Sequence, residues 1–205
     1  MRKVFALVLL LLVSNTACSE NFTAGFEYRN IKPQPTSSPD RIEVIEFFWY
    51  GCPHCFHFEP ELNVWLSVDK PANVDFIQVP APLNKSWELH TKAFYALELM
   101  GMQKKLHGKI FEAIHMKKMR LFDEKSLTDF LVNYGVDRKT FEKNMKSFTV
   151  SGKLNKARKM MKDYEVKGVP QIAINGKYIT SGSMAGSYTN MIKVINFLIA
   201  KESKK

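Results

Sequence analysis

Cys52 and Cys55 stand three positions apart in the run Gly51-Cys52-Pro53-His54-Cys55. Two thiols at that spacing offer three chemistries: a disulfide that opens and closes, half of a zinc site, or two inert buried sulfurs. A closed zinc site needs four ligands, and the chain's third cysteine, Cys18, lies near the N-terminus. His57, His90, His107 and His115 show no paired metal-ligand spacing and read as ordinary surface or half-buried side chains. The redox reading therefore leads, and no metal or cofactor is expected.

Redox use requires the two sulfurs to differ, and the flanking elements supply the difference. Residues 41–49 are rich in Ile, Val, Phe and Trp and read as a buried strand. Over residues 52–68 the apolar positions Cys55, Phe58, Leu62, Trp65 and Leu66 recur at helical spacing. With Tyr50 and Gly51 closing the connection, Cys52 falls at a helix N-terminus, and Cys55 lies one turn later on the same face. Unpaired N–H groups and the positive end of the helix dipole favour a thiolate there. Pro53 is tolerated in the first turn because its missing N–H has no intrahelical partner. His54 can add positive charge or a hydrogen bond to the same sulfur. A Cys52 with lowered pKa is a better leaving group and stabilises the dithiol form, which predicts a pair that gives its disulfide away.

Two further positions bear on this chemistry. Glu46 lies six residues before Cys52, within Val44-Ile45-Glu46-Phe47-Phe48. Apolar neighbours on both sides predict a buried carboxylate, which is costly unless it is used; the alternative is an edge-strand glutamate pointing to water. Val169-Pro170 precedes the strand pattern at 171–174, where proline could act simply as a loop constraint, since cis bonds are a minority even before proline.

The rest of the chain reads as an α/β core with an interruption. Residues 26–31 suit a short edge strand, 32–40 form a proline- and serine-rich connector, and 74–79 form a strand. Helical patterns follow at 86–100, 103–116, 125–134 and 138–147, with Gly101, Gly135 and nearby aspartates as stops and caps. A helix at 153–164 leads to strands at 171–174 and 177–180 around Asn175-Gly176, a strong hairpin signal, and a final amphipathic helix covers 187–201. The expected division is 25–82 and 153–205 for the α/β core, with 83–152 as a helical insertion.

The N-terminus has basic Arg2 and Lys3, an apolar run over 4–13, and then small and polar residues, the layout of an export signal. That run is short of the roughly 20 residues a spanning helix needs. It ends in Asn15-Thr16-Ala17-Cys18, which resembles a bacterial lipobox apart from Asn15, where an aliphatic residue is usual. The reading is a signal over 1–17, a tether over 18–24 and lipidation at Cys18. Export places the chain in an oxidising compartment, where a close cysteine pair suits redox work. Formal charge is +10, and loss of Arg2 and Lys3 leaves 28 basic residues against 20 acidic ones, or +8. The lysine groups at 104–120 and 153–162 read as solvated helix faces with some attraction to anionic lipid. Nucleic acid is not an expected partner outside the cytoplasm.

Glu46-Phe47-Phe48 followed by Cys52-Pro53-His54-Cys55, the helical insertion, Gly168-Val169-Pro170 and Asn175-Gly176-Lys177-Tyr178, in that order, resemble the DsbA family over roughly residues 25–200. These are bacterial periplasmic thiol:disulfide oxidoreductases with a thioredoxin fold. The resemblance implies that Cys52 is the exchanging sulfur and Cys55 its buried partner. It implies a cis Val169–Pro170 bond against the active site, with Val169 offering its backbone to an extended substrate. Glu46 matches a buried acid that moves protons to and from Cys55, and Pro60 matches the helix-kinking proline of thioredoxin. The implied protein is a monomer that oxidises reduced or unfolded exported proteins and is re-oxidised by a DsbB-type membrane partner. A buried lysine that partners the acid in the best-known member has no counterpart in 74–78, and the body of the chain holds no second cysteine pair. The rivals are an isomerase or reductase of the same superfamily, or a peptide-binding chaperone with incidental cysteines.

Overall fold

The computed structural model describes residues 21–204; the segment 1–17 expected to be an export signal, and Cys18, lie outside them. Strand β1 is Arg29–Asn30 and β2 is Ile42–Phe48. Every residue of β2 is buried, Glu43 and Glu46 included, as in a strand whose sheet is covered on both faces. Helix α1, Pro53–Val64, extended by a wider turn over Trp65–Asp69, crosses over to β3, Val74–Pro80, which lies parallel to β2. On its other side β2 pairs antiparallel with β4, Gln171–Ile174, which forms a hairpin with β5, Tyr178–Ser181. The sheet order is β1-β5-β4-β2-β3, so β2 is central. Asn175 and Gly176, at φ 49° and 65°, make the left-handed turn whose twist suits a two-residue hairpin.

Between β3 and β4 come α2 (Lys85–Leu99), α3 (Gln103–His115), α4 (Glu124–Val132), α5 (Arg138–Met145) and α6 (Phe148–Asp163). Side chains cap four of them: Asn84 Oδ1 accepts from Ser86 N at 3.1 Å, Asp123 from Ser126 N at 2.8 Å, Asp137 from Thr140 N at 2.9 Å, and Ser147 Oγ from Val150 N at 3.2 Å. The Ser147 cap starts α6 ahead of residue 153, so one continuous helix runs across the expected 152/153 boundary back to the sheet. The edge strand is shorter than 26–31, and the one-turn helix α7, Gly182–Ala185, capped by Ser181, was not expected. Helix α8, Tyr188–Ser203, closes the fold.

Period-two alternation sorts the sheet's two cores. Ile42, Val44, Ile172 and Ile174 pack with Phe58, Leu62 and Trp65 of the α1 segment and with Met191, Ile195 and Leu198 of α8. Ile45, Phe47, Ala173 and Ile179 face α6 and the helical insertion. Each buried Ile, Val, Leu, Met or Phe among these contributes about 1.5–3 kcal/mol. The same alternation sets Glu46 on the face of Ile42 and Val44, beneath α1.

Candidate active site

Cys52 is the N-cap of α1, in extended backbone at φ −86° and ψ 115°, with Pro53 next in line. Its sulfur accepts the Cys55 N–H at 3.3 Å and lies 3.4 Å from the Val169 carbonyl oxygen, to which its thiol donates. Cys55, one turn on, is fully buried, and both cysteines are free thiols. The turn that delivers Cys52 is tight: Cys52 N donates to Trp49 O at 2.9 Å, and a side chain at Gly51 would run into the Trp49 indole, which stacks on Trp87 at 4.2 Å. From α3, His115 Nε2 holds the Tyr50 carbonyl at 2.8 Å while its ring stacks on Phe56.

The two thiols differ as an exchange pair should. Hydrogen bonding from the Cys55 thiol, opposed by burial and helped by the backbone N–H groups of Cys55 and His54, brings Cys52 down to about 7. Burial first, and then the bond to and charge of Cys52, pushes Cys55 well up. His54 therefore acts on the sulfur through its backbone N–H. Its exposed ring meets Tyr188 Oη at 3.3 Å.

The Val169–Pro170 bond is cis. The chain reaches it from α6 through a left-handed residue, Glu165 at φ 53°, where Arg29 reaches across to the Tyr164 and Glu165 carbonyl oxygens at 3.3 and 2.7 Å. Beside the cysteines a groove of about 520 Å³ is lined by His54, Val169, Pro170, Ser181, Tyr188 and Thr189, among others.

Glu46 is fully buried in the central strand, so the edge-strand alternative is excluded. Its register partner in β3 is Gln78, whose Nε2 donates to Glu46 Oε2 at 2.8 Å, while Oε1 is buried without a partner. Burial, then the charge of Glu59, pushes the Glu46 carboxyl well above its ordinary range, against the Gln78 hydrogen bond. Glu59, Gln78, Tyr50 and His107 complete a cluster that sequence reasoning did not assemble. His107 and His90 are buried, at 8% and 1% exposure, which corrects the reading of both as surface or half-buried. A signal was present: Glu59 stands four residues after Cys55 on the α1 stripe, and His107 falls in register with Ile110, Phe111 and Ile114 on the stripe of α3.

Against known proteins, the chain is 40% identical over 192 residues to the thiol:disulfide interchange protein DsbA of Pseudomonas aeruginosa, spanning 93% of this chain and 90% of that protein. The chain belongs to the DsbA family. A family model described as DSBA-like thioredoxin domain matches residues 77–187. The DsbA of Burkholderia cepacia is 39% identical over 184 residues, 89% of this chain and 86% of its own. The crystal structure of P. aeruginosa DsbA, at 41% identity, superposes with a TM-score of 0.84 over 90% of this chain and 97% of its own. The oxidoreductase DsbA of Xylella fastidiosa, at 28% identity, gives 0.83 over 89% and 98%. The fold is thus the DsbA-like thioredoxin fold with a helical insertion, and the protein is a thiol:disulfide oxidoreductase with the pair Cys52–Cys55.

Proposed function

We propose that this DsbA-family protein works as an exported oxidase, donating its Cys52–Cys55 disulfide to reduced or unfolded exported proteins. The observation that carries the reading is the contrast between the sulfurs: Cys52 at a helix N-cap and brought to about 7, Cys55 buried and pushed up. A substrate thiolate attacks Cys52 Sγ, the Cys52–Cys55 bond breaks, and Cys55 leaves with the electron pair and takes a proton. A second substrate thiolate then attacks the substrate sulfur of the mixed disulfide, the product disulfide forms, and Cys52 leaves as thiolate. Two electrons pass from substrate to enzyme. A thiolate stable near neutral pH leaves readily and favours the dithiol product.

The other residues take supporting roles in this proposal. Pro53 and the backbone N–H of His54 shape the cap that receives the Cys52 thiolate. Glu46, with an oxygen that no other group engages, holds the proton that Cys55 exchanges. Val169 lends its backbone to an extended substrate as in strand addition, with Pro170 fixing the turn and the hydroxyl-rich groove alongside. Main-chain pairing ignores side-chain identity, which suits an enzyme of many substrates.

The residues at 1–17 are read as an export signal to the periplasm and Cys18 as a lipidated N-terminus, with re-oxidation by a DsbB-type membrane partner. The catalytic unit divides into 25–82 and 153–205 around the insertion 83–152, acts as a monomer, and requires no metal or cofactor. Thiolate absorbance of the dithiol enzyme tests the reading: Cys52 titrating near 7 supports it, and an unshifted Cys52 overturns it. Membrane attachment is tested separately, since Cys18→Ser should move the protein to the soluble fraction while activity on a soluble substrate persists.

A further inference from the structure

None of the exchange steps uses His107, yet three polar groups converge on its ring. Nδ1 lies 3.0 Å from Tyr50 Oη. Nε2 lies 3.0 Å from Gln78 Nε2 and 3.2 Å from Glu59 Oε1. The Gln78 amide is oriented by its other bonds, Nε2 donating to Glu46 Oε2 at 2.8 Å and Oε1 accepting from Gln103 Nε2 at 3.4 Å. It therefore offers only donors to the imidazole, whereas an ionised Glu59 offers only acceptors. One nitrogen faces both and can satisfy them only in turn. With its proton on Nδ1 toward Tyr50, neutral His107 accepts from Gln78 at Nε2; with a proton on Nε2 it donates to Glu59, either as imidazolium or, with Tyr50 Oη donating to Nδ1, as the other neutral tautomer.

We propose that His107 is a proton-switched positioning residue that compensates the Glu46–Glu59 carboxylate pair and so sets when Glu46 exchanges its proton with Cys55. The inference rests on the oxidase reading and deepens it. Gln78, the residue opposite Glu46, is neutral, so compensation comes from the next side chain in the cluster. Imidazolium at His107 cancels the Glu59 charge, which otherwise opposes ionisation of Glu46. Glu46 can then lose its proton to a Cys55 thiolate, giving Cys55–SH and Glu46–COO⁻, and reverse this when Cys55 must attack.

The groups facing His107 are Tyr50 from the β2–α1 turn, Glu59 from α1, Gln78 from β3 with Glu46 of β2 behind it, and the apolar rings of Phe48, Phe94 and Phe111. Glu98 of α2 and Lys104 of α3 line a cleft of about 560 Å³ that His107 and Gln78 also line. Through that cleft the imidazole takes its proton from solvent and returns it.

The test is the rate at which Cys55 resolves a Cys52–glutathione mixed disulfide, followed against pH in the wild type and in His107→Gln. Glutamine can hydrogen-bond but cannot be charged. The wild-type profile should carry an inflection that follows protonation of the His107 imidazole. The variant should lose it and run about tenfold slower at neutral pH, as for a lost charged hydrogen bond, with Cys52 still titrating as before. Nitrogen-15 NMR of His107 in the wild type is the second measurement, independent of variant folding. It should show the Nδ1–H neutral form giving way to imidazolium on acidification, with a lower midpoint in Glu59→Gln. An imidazole that stays neutral throughout, or a His107→Gln profile identical to wild type, overturns the proposal. If Cys52 still titrates near 7 in those cases, the oxidase reading stands; if Cys52 is unreactive, that reading is what fails.

Discussion

The groups acting on the Cys52 sulfur come from its own turn and from Val169, whereas those acting on Glu46 come from α1 and β3, with His107 of α3 behind them. The first environment is local: a cap, a proline at the first helical position and two backbone N–H groups placed by the helix itself. The second is assembled by tertiary contacts across two strands and two helices. Local geometry sets the leaving ability of Cys52, and long-range packing sets the proton traffic of Cys55. The two regions should therefore fail differently when mutated.

The largest effect falls on the local site. Cys52→Ser should abolish disulfide transfer to a reduced protein substrate, measured by gain of substrate disulfides. Cys55→Ser should leave Cys52 reactive but stalled in mixed disulfides visible on non-reducing gels. A Cys52→Ser protein that still promotes folding of a cysteine-free client would reveal a chaperone instead.

Next comes the cluster. Glu46→Gln should slow steps that move a proton at Cys55 by about 100-fold or more, while the Cys52 titration stays near 7. The same variant should change stability with a definite sign. The folded Glu46 carboxyl holds its proton above the ordinary value of 4.5, so its contribution is fully present below 4.5 and is lost as pH rises through the raised folded value. Denaturant midpoints should thus favour Glu46→Gln over the wild type increasingly from pH 4.5 upward. Equal midpoints across that range would mean that Glu46 is not buried as described.

His90 sharpens the comparison because it is a buried histidine without a carboxylate. Its Nε2 donates to Leu121 O at 2.7 Å, its Nδ1 has no partner, and burial lowers it from 6.5 to about 4. A depressed histidine must lose stability as pH falls from 6.5 toward 4, by up to about 3 kcal/mol. His90→Gln should flatten that acid limb in thermal unfolding measured against pH. A variant with the same acid limb as the wild type would show that His90 does not titrate in this way.

The smallest effect belongs to His54→Ala. Because the His54 backbone N–H survives and its ring sits on Tyr188, the Cys52 titration should rise by less than about one unit. A larger shift would show that the ring turns to the sulfur in solution.

The same contrast explains what could be read from the chain alone. The strand-turn-helix order around Cys52, the Asn175-Gly176 hairpin and the aspartate-capped helices depend on neighbours in sequence, and those patterns are visible there. The burial of Glu46 was inferable from the apolar residues around it. The partners of Glu46 were not, because Gln78 meets it through strand register and His107 through a helix 29 residues further on. A lone histidine carries no spacing rule, so only its place on an apolar helical stripe hinted at burial. The helical start at Phe148 was hidden by ordinary residues whose order depends on the Ser147 cap.

The central claim is that the asymmetric pair favours its dithiol form and so oxidises others. Equilibrating Cys52 and Cys55 with glutathione buffers of graded composition measures this directly. The account predicts that the pair is reduced even where oxidised glutathione predominates, as a stabilised Cys52 thiolate requires. A disulfide that persists in strongly reducing glutathione would contradict it and place the protein with the reductases.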